Sequence, residues 1–343
     1  MAELLEVYNL VKHFPVRRGL LRSRRETVHA VDGISFSIGS EQTMGLVGES
    51  GCGKSTAGRA ILRLIRPTAG EVRFKGENLL TMNAVREKKM RRQMQMIFQD
   101  PFGSLNPRLT VERIVEEPLL THRVGNSRER RERVAEILRI VGLLPEHMKR
   151  FPHEFSGGQR QRIMIARALV LQPELIICDE PVSALDVSVQ AQIINLMVRL
   201  QRQFRFSYVI ISHDLSVIRY VSHKVAVMYL GQIVEMAQAA PLYAAPRHPY
   251  TLALLSAVPL PDPRSKRQRI ILSGDVPSPI KPPAGCRFHP RCPRRMEVCE
   301  RTAPVMHEVG QHHVVACHLH TDGPEWCLAP PGTTIQAAGR PGT

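Results

Sequence analysis

The sequence predicts an α/β domain followed by a small Cys- and Pro-rich C-terminal domain. Three observations carry this. A short apolar run at 44–47 leads into a glycine-rich loop and then into a segment of helical apolar spacing. A second apolar run, at 175–178, ends in two carboxylates. Composition then changes after Glu235: the last 108 of the 343 residues hold 17 of the 26 prolines and five of the seven cysteines. A Pro-poor body with a Pro-dense, Cys-bearing tail reads as a regular domain plus an irregular appendage. The expected boundaries are 1–235 for the body, 236–285 for a Pro-rich linker opening the extension, 286–328 for a Cys-rich domain and 329–343 for a disordered end.

Composition limits what the chain does. The net charge is +16, of which the first 235 residues, with 35 basic against 24 acidic, carry +11. The basic residues fall in runs at 17–25, 86–92 and 128–133. The last, SRERRER, interleaves acid and base as a solvated helix face does. Aromatic content is 5% and no basic–aromatic pattern appears, so scattered surface charge fits better than a nucleic-acid face. An anionic membrane surface is a further partner for it. No apolar run approaches the ~18 residues of a spanning helix, so none is expected to cross a bilayer. The opening MAELLEVYNL has neither the basic nor the apolar region of a secretory signal.

The strand at 44–47 feeds GESGCGKST, residues 48–56. Gly48, Glu49, Ser50, Gly51, Cys52, Gly53, Lys54, Ser55 and Thr56 form a phosphate-binding loop in its required strand–loop–helix setting. Glycines let the backbone curl so that successive N–H groups face phosphate, and the helix adds its positive end. Lys54 is expected on the β- and γ-phosphates and the Ser55 hydroxyl on Mg²⁺. At 175–180, LIICDE delivers Asp179 beside that metal and leaves Glu180 to orient and deprotonate the attacking water, since phosphoryl transfer depends on positioning and charge neutralisation. Between them, Ser156, Gly157, Gly158 and Gln159 precede an amphipathic run. There Ser156 caps a helix whose exposed N-terminus is a second anion site.

Residues 48–56, 156–159 and 175–180 resemble the phosphate loop, signature and second acidic motif of ABC transporter ATPases. The resemblance implies a RecA-like core sheet, an antiparallel β subdomain and a helical signature subdomain. It also implies roles for other residues. Phe14 in LVKHF stacks on adenine. Gln99 in MIFQDP joins the nucleotide site to the membrane subunits and the Mg²⁺ ligands. Asp186 in SALD crosses the dimer interface, and His213 in IISHD contacts the γ-phosphate. In that family two ATPase subunits stack head to tail, each ATP lying between one phosphate loop and the other subunit's signature. One chain here carries one copy of each half, so it needs a partner.

The stretches IFQDPFGSLNPRLTVERIVEEPL, EPVSALDVSVQAQIINLM and PRHPYTLALLSAVP are similar to the oligopeptide/dipeptide importer ATPases, the F-type dipeptide subunits among them. The resemblance covers 1 to about 320. It implies a D-type ATPase partner, two permeases, a periplasmic substrate-binding protein and a place on the cytoplasmic face of the bacterial inner membrane. Nickel, opine and murein-peptide importers use similar ATPases, so the cargo stays open. Small departures, Phe155 before the signature and Phe14 for a more common tyrosine, remove no required group. Cys178 reads as a buried apolar filler, while Cys52 reads as more exposed.

Cys286, Cys292, Cys299 and Cys317 stand in a C-x5-C-x6-C-x17-C pattern, with Cys327 left over. Their spacing lacks the close C-x2–4-C pairs common in zinc sites, and leaves an iron–sulfur cluster, zinc or unliganded thiols open. The resemblance implies that the four hold a [4Fe–4S] cluster of structural role. The six histidines of that stretch, from His289 to His320, are assigned no ligand role. Two other function classes compete. A nucleic-acid ATPase of the ABC type would bring two modules, coiled-coil insertions or C-x-x-C pairs, all absent from the sequence. A redox regulator would not need its hydrolytic motifs intact.

Overall fold

The computed structural model describes residues 3–18, 24–258, 269–326 and 328. The chain opens with a long antiparallel pair, β1 (Leu5–Arg18) and β2 (Arg24–Ile38), and then enters a central strand, β3 (Thr43–Val47), every residue of which is buried. Helix α1 (Lys54–Ile61) follows the phosphate loop. It ends at Ile61, where Leu62 leaves helical geometry and Arg63 turns left-handed at φ 55°. Strands β4 (Ala69–Phe74) and β5 (Glu77–Asn78) complete a four-stranded sheet in the order β2-β1-β4-β5.

Helix α2 (Ala84–Gln93) leads to β6 (Met94–Ile97) and the short α3 (Pro101–Ser104). A helical group follows: α4 (Val111–Thr121), α5 (Ser127–Ile140) and α6 (Gly157–Leu169). The body ends with β7 (Leu175–Asp179), α7 (Val187–Phe204), β8 (Ser207–Ser212), α8 (Leu215–Val221), β9 (Lys224–Tyr229) and β10 (Gln232–Gln238). The strands β9, β3, β8, β7 and β6 lie side by side and parallel, with β10 antiparallel on β9. Each parallel strand is covered on both faces, which is why these strands read as near-continuous apolar runs.

Two apolar cores result. One joins Leu5, Phe36 and Phe74 of the antiparallel sheet to Ala57 and Ile61 of α1 and to Val209 of the central sheet. The other packs α4, α5 and α6 through Val115, Leu138 and Ile165 against Ile176 and Ile210 on the sheet's far face. The interleaved run on α5 is solvated in part: Arg128 pairs with Glu132 on the exterior, whereas Arg130 reaches the nearly buried Glu116 at 2.8 Å.

The C-terminal segment departs from an irregular appendage behind a linker. Residue 235 falls inside β10, and the expected linker contains α9 (Ala239–Ala244) and α10 (Pro249–Ser256), whose Leu242, Tyr250 and Leu255 are buried in the main core. After a short helix, α11 (Glu297–Arg301), strands β11 (His307–Gly310) and β12 (His313–Val315) extend the central sheet, so its order is β11-β12-β10-β9-β3-β8-β7-β6. The physical reason is an open edge. β10 offers unpaired backbone groups, and the apolar Val314 and Val315 pair with Met236 and Glu235 and are buried there. The disordered end expected at 329–343 and Cys327 lie outside the described residues, as does the Pro-rich stretch 259–268.

Candidate active site

The phosphate loop is fixed by its glycines. Gly53 has φ 104°, and a Cβ there would stand 1.9 Å from the Ala30 carbonyl oxygen; at Gly48, φ 150°, it would stand 2.2 Å from the Met228 carbonyl oxygen. No side chain fits between this loop and the backbones of β2 and β9. Ser50 and Gly51 are exposed at the loop's crest, whereas Cys52 is buried, against the expectation of an exposed thiol, and burial pushes that thiol's pKa up. Lys54 is buried, its ammonium donating to the carbonyls of Gly48 at 2.7 Å and Glu49 at 2.9 Å. Ser55 and Thr56 form the first turn of α1, half-buried.

β7 delivers the acidic pair. Asp179 is fully buried, and burial pushes its carboxyl pKa up against the opposing pull of the Ser55 hydrogen bond and Arg59. Ser55 Oγ donates to Asp179 Oδ1 at 2.6 Å, while Oδ2 is buried without a hydrogen-bond partner, 3.7 Å from Arg59 Nη2. A serine hydroxyl beside a carboxylate with an unused buried oxygen is a hard-oxygen donor set, which fits Mg²⁺.

Glu180 then turns out of the strand at φ 48°, its N–H bonded to the Ile211 carbonyl at 2.9 Å. The turn aims its carboxylate at two neighbours. Gln99 Nε2, at the end of β6, donates to Oε2 at 2.8 Å, and His213 Nδ1, just past β8, meets Oε1 at 3.1 Å. Three strand ends thus gather Gln99, Asp179, Glu180 and His213 at the same edge of the sheet as the phosphate loop on β3.

The signature lies elsewhere. Ser156 caps α6, its Oγ accepting from Gln159 N–H at 3.4 Å while Gln159 Oε1 accepts from Ser156 N–H at 3.1 Å. Gly157 and Gly158 pack on Leu185 and Val189, beside the exposed Asp186 that begins α7. Among the described residues no hydrogen bond or ion pair links 156–159 to residues 48–56. Phe14 lies on β1 opposite Val28, with Lys12 Nζ 4.7 Å from its ring centroid.

In the C-terminal segment, Cys286 N–H donates to the Cys299 carbonyl at 2.8 Å, and Cys299 and Cys317 are buried. Burial pushes the Cys317 thiol up to about 11, and nearby Cys286, Cys292 and Cys299 add to the shift. The four cysteines therefore converge.

Sequence reasoning missed three groups. Among the described residues, the set of three metal-type donors with ligand atoms within 4.8 Å of one another is His13, His29 and Asp32 on β1 and β2. Arg287 closes on Asp32 as well, which makes an ion-pair network of it. The second is Tyr250, whose hydroxyl accepts from Glu49 N–H at 2.9 Å, and the third is Arg291, which grips the Glu49 carboxylate. Separations above 200 residues leave no local signal for either.

The chain is similar to known proteins. Residues 31–183 match the model of the ABC transporter family, and residues 234–299 match that of the oligopeptide/dipeptide transporter C-terminal region. The chain is 54% identical over 321 residues to the oligopeptide transport ATP-binding protein AppF of Bacillus subtilis (strain 168), covering 93% of this chain and 98% of that one. Among solved structures, the ATP-binding cassette MJ0796, a dimer bound to ADP and Pi, is 29% identical with a TM-score of 0.60, covering 68% of this chain and 98% of its own. The cassette cbiO1 of Clostridium perfringens, part of the transporter complex cbiONQ, is 25% identical with a TM-score of 0.60, covering 71% and 92%. With its α/β core, its phosphate loop and these matches, the chain belongs to the ABC transporter ATPases, in the oligopeptide/dipeptide transporter family.

Proposed function

We propose that this chain is the ATP-binding and hydrolysing subunit that powers import of peptides across the bacterial inner membrane. The observation that carries the reading is the meeting of Glu180 with Gln99 and His213 beside the Ser55–Asp179 pair. The loop 48–56 receives the triphosphate and Lys54 turns its ammonium to the β- and γ-phosphates. Phe14 offers its ring to adenine. Ser55, Asp179 and Gln99 would hold Mg²⁺, which would supply charge neutralisation on the phosphates. Glu180 takes the proton of the attacking water, and His213 orients that carboxylate and reaches the γ-phosphate.

The exposed α6 N-terminus, capped by Ser156, serves the partner subunit's nucleotide, with Asp186 at the same interface. The partner is a second ATPase, a D-type subunit. Gln99 adjoins a groove of about 350 Å³ lined by Met82, Met90, Met94, Met96, Phe98 and Met164. Adaptable methionines suit the apolar face of an incoming helix, here from either of two permeases that work with a substrate-binding protein. No helix among the described residues is long and apolar enough to cross a membrane, in keeping with a peripheral subunit.

The four converging cysteines hold a [4Fe–4S] cluster of structural role. The reading rests on the mutual proximity of the four thiols and the burial of Cys299 and Cys317. Protein purified anaerobically is expected to be brown, with iron and sulfide in proportion; colourless protein free of iron would remove the cluster. For the complex, affinity purification from detergent-solubilised membranes is expected to recover two integral-membrane subunits and a second ATPase. Recovery with nucleic acid and its enzymes instead would contradict the importer reading.

A further inference from the structure

Glu49, the second residue of the phosphate loop, is held from two sides by residues of the C-terminal segment. Its N–H donates to Tyr250 Oη at 2.9 Å. Its carboxylate takes a fork from Arg291, with Nη1 on Oε2 at 2.7 Å and Nη2 on Oε1 at 3.0 Å. A bidentate guanidinium–carboxylate pair is charge-assisted and fixes orientation as well as distance. The Arg291 side chain is only 8% exposed, which strengthens the pair by excluding water.

The fork is braced. The guanidinium lies 6.0 Å from the Tyr229 ring centroid, and Tyr229, Tyr250 and Phe288 form a pad with centroids 4.8 to 5.4 Å apart. Four residues earlier, Arg287 reaches Asp32 and the Leu230 carbonyl. Those two positions frame the loop: Asp32 N–H donates to the Gly231 carbonyl at 2.8 Å, and Gly231 N–H to the Cys52 carbonyl at 2.9 Å.

We propose that Arg291 is a positioning residue for the nucleotide site, holding Glu49 and the entry of the phosphate loop in the conformation that receives phosphate. The proposal rests on the reading of 48–56 as the ATP-binding loop. Two effects follow from one contact. A loop curved in advance loses less conformational freedom when nucleotide arrives. A neutralised Glu49 also no longer repels a polyanionic triphosphate. Arg291 acts through Glu49, because both of its terminal nitrogens are engaged there.

The test is a double-mutant cycle, reading the Kd for MgATP on the full chain and the KM and kcat for ATP on the complex with its partner ATPase. Trp326, the single tryptophan, lies in the C-terminal segment and reports by its emission that the segment is folded. Arg291→Met is expected to raise Kd and KM about tenfold with kcat changed far less, and Arg291→Lys to recover part of the loss. In a Glu49→Gln background, Arg291→Met is expected to cost little more. Wild-type protein that binds MgATP, with an Arg291→Met variant that binds as tightly, would overturn the proposal. So would an equal loss in both backgrounds, since Arg291 would then act independently of Glu49. Wild-type protein unable to bind MgATP would instead overturn the nucleotide-site reading beneath it.

Discussion

Glu180 does two things that conflict in an ordinary strand end: it leaves β7 in a left-handed turn, φ 48°, and it holds a fixed contact to both Gln99 and His213. A non-glycine residue at positive φ stores of order 1 kcal/mol of strain or more, which surrounding contacts must hold in place. Removing only its charge, in Glu180→Gln, is expected to lower turnover by about 10²-fold or more while ATP-dependent pairing of subunits persists. Steady-state hydrolysis and size-exclusion chromatography with MgATP check both halves; unchanged turnover would end the assignment of the base. Gly53→Ala makes a different prediction. Its Cβ would meet the Ala30 carbonyl at 1.9 Å, so the loop must shift and MgATP binding is expected to fall below detection in titration calorimetry. These residues were legible in the sequence because phosphate chemistry permits few residue types at each spacing. The turn at Glu180 was not, since a strand followed by two carboxylates says nothing of φ. Nor was the burial of Cys52, which depends on the Met228 backbone lying against the loop.

The element that most alters the architecture is β12, three residues long and paired with β10. A buried hydrogen-bond cluster pins the pairing: Glu235 accepts from the Arg247 N–H at 2.6 Å and the His248 N–H at 2.9 Å, and meets His313 Nε2 at 2.7 Å. Glu235→Ala strands these donors, and a loss of about 3 kcal/mol is expected in urea unfolding. Acid acts on the same joint. Burial pushes His248 down to about 4 from 6.5, so the unfolded chain takes up the proton first as pH falls. Stability is then full above about pH 6.5 and declines toward pH 4. Burial pushes Glu235 up, but the hydrogen bonds from His313, Thr251 and the backbone outweigh it, so its folded pKa lies below the usual 4.5 and extends the decline to lower pH. His248→Asn, which keeps an acceptor for the Tyr250 N–H, is expected to flatten the slope between pH 6.5 and 4 in pH-dependent thermal melts; an unchanged slope would exclude His248 as its source. The strand was hard to read beforehand because two valines among histidines carry little periodicity, and their partner strand lies 78 residues away. α5 and the cap at Ser156, both set by local pattern, were readable.

At the scale of the molecule, body and C-terminal segment share one sheet, so they are expected to unfold together. Trp326 emission and far-ultraviolet circular dichroism should give the same midpoint, and two separated midpoints would show a segment that folds apart. The compositional break after Glu235 was real, yet it marked a change of chemistry, with proline and cysteine entering, and the packing runs across it. The +16 charge suits the nucleotide phosphates and the anionic membrane surface of the proposed function. One phosphate loop and one signature per chain, with no hydrogen bond or ion pair between them among the described residues, suit the head-to-tail dimer of the proposed function. On the proposed function, ATP hydrolysis by a dimer containing this chain drives uptake of peptides. Its most direct measurement is the ATPase rate of the complex with its permeases reconstituted in liposomes, with and without peptide-loaded binding protein. Stimulation by the loaded binding protein, lost in Glu180→Gln, is the predicted result. A rate indifferent to that protein but raised by DNA would contradict it.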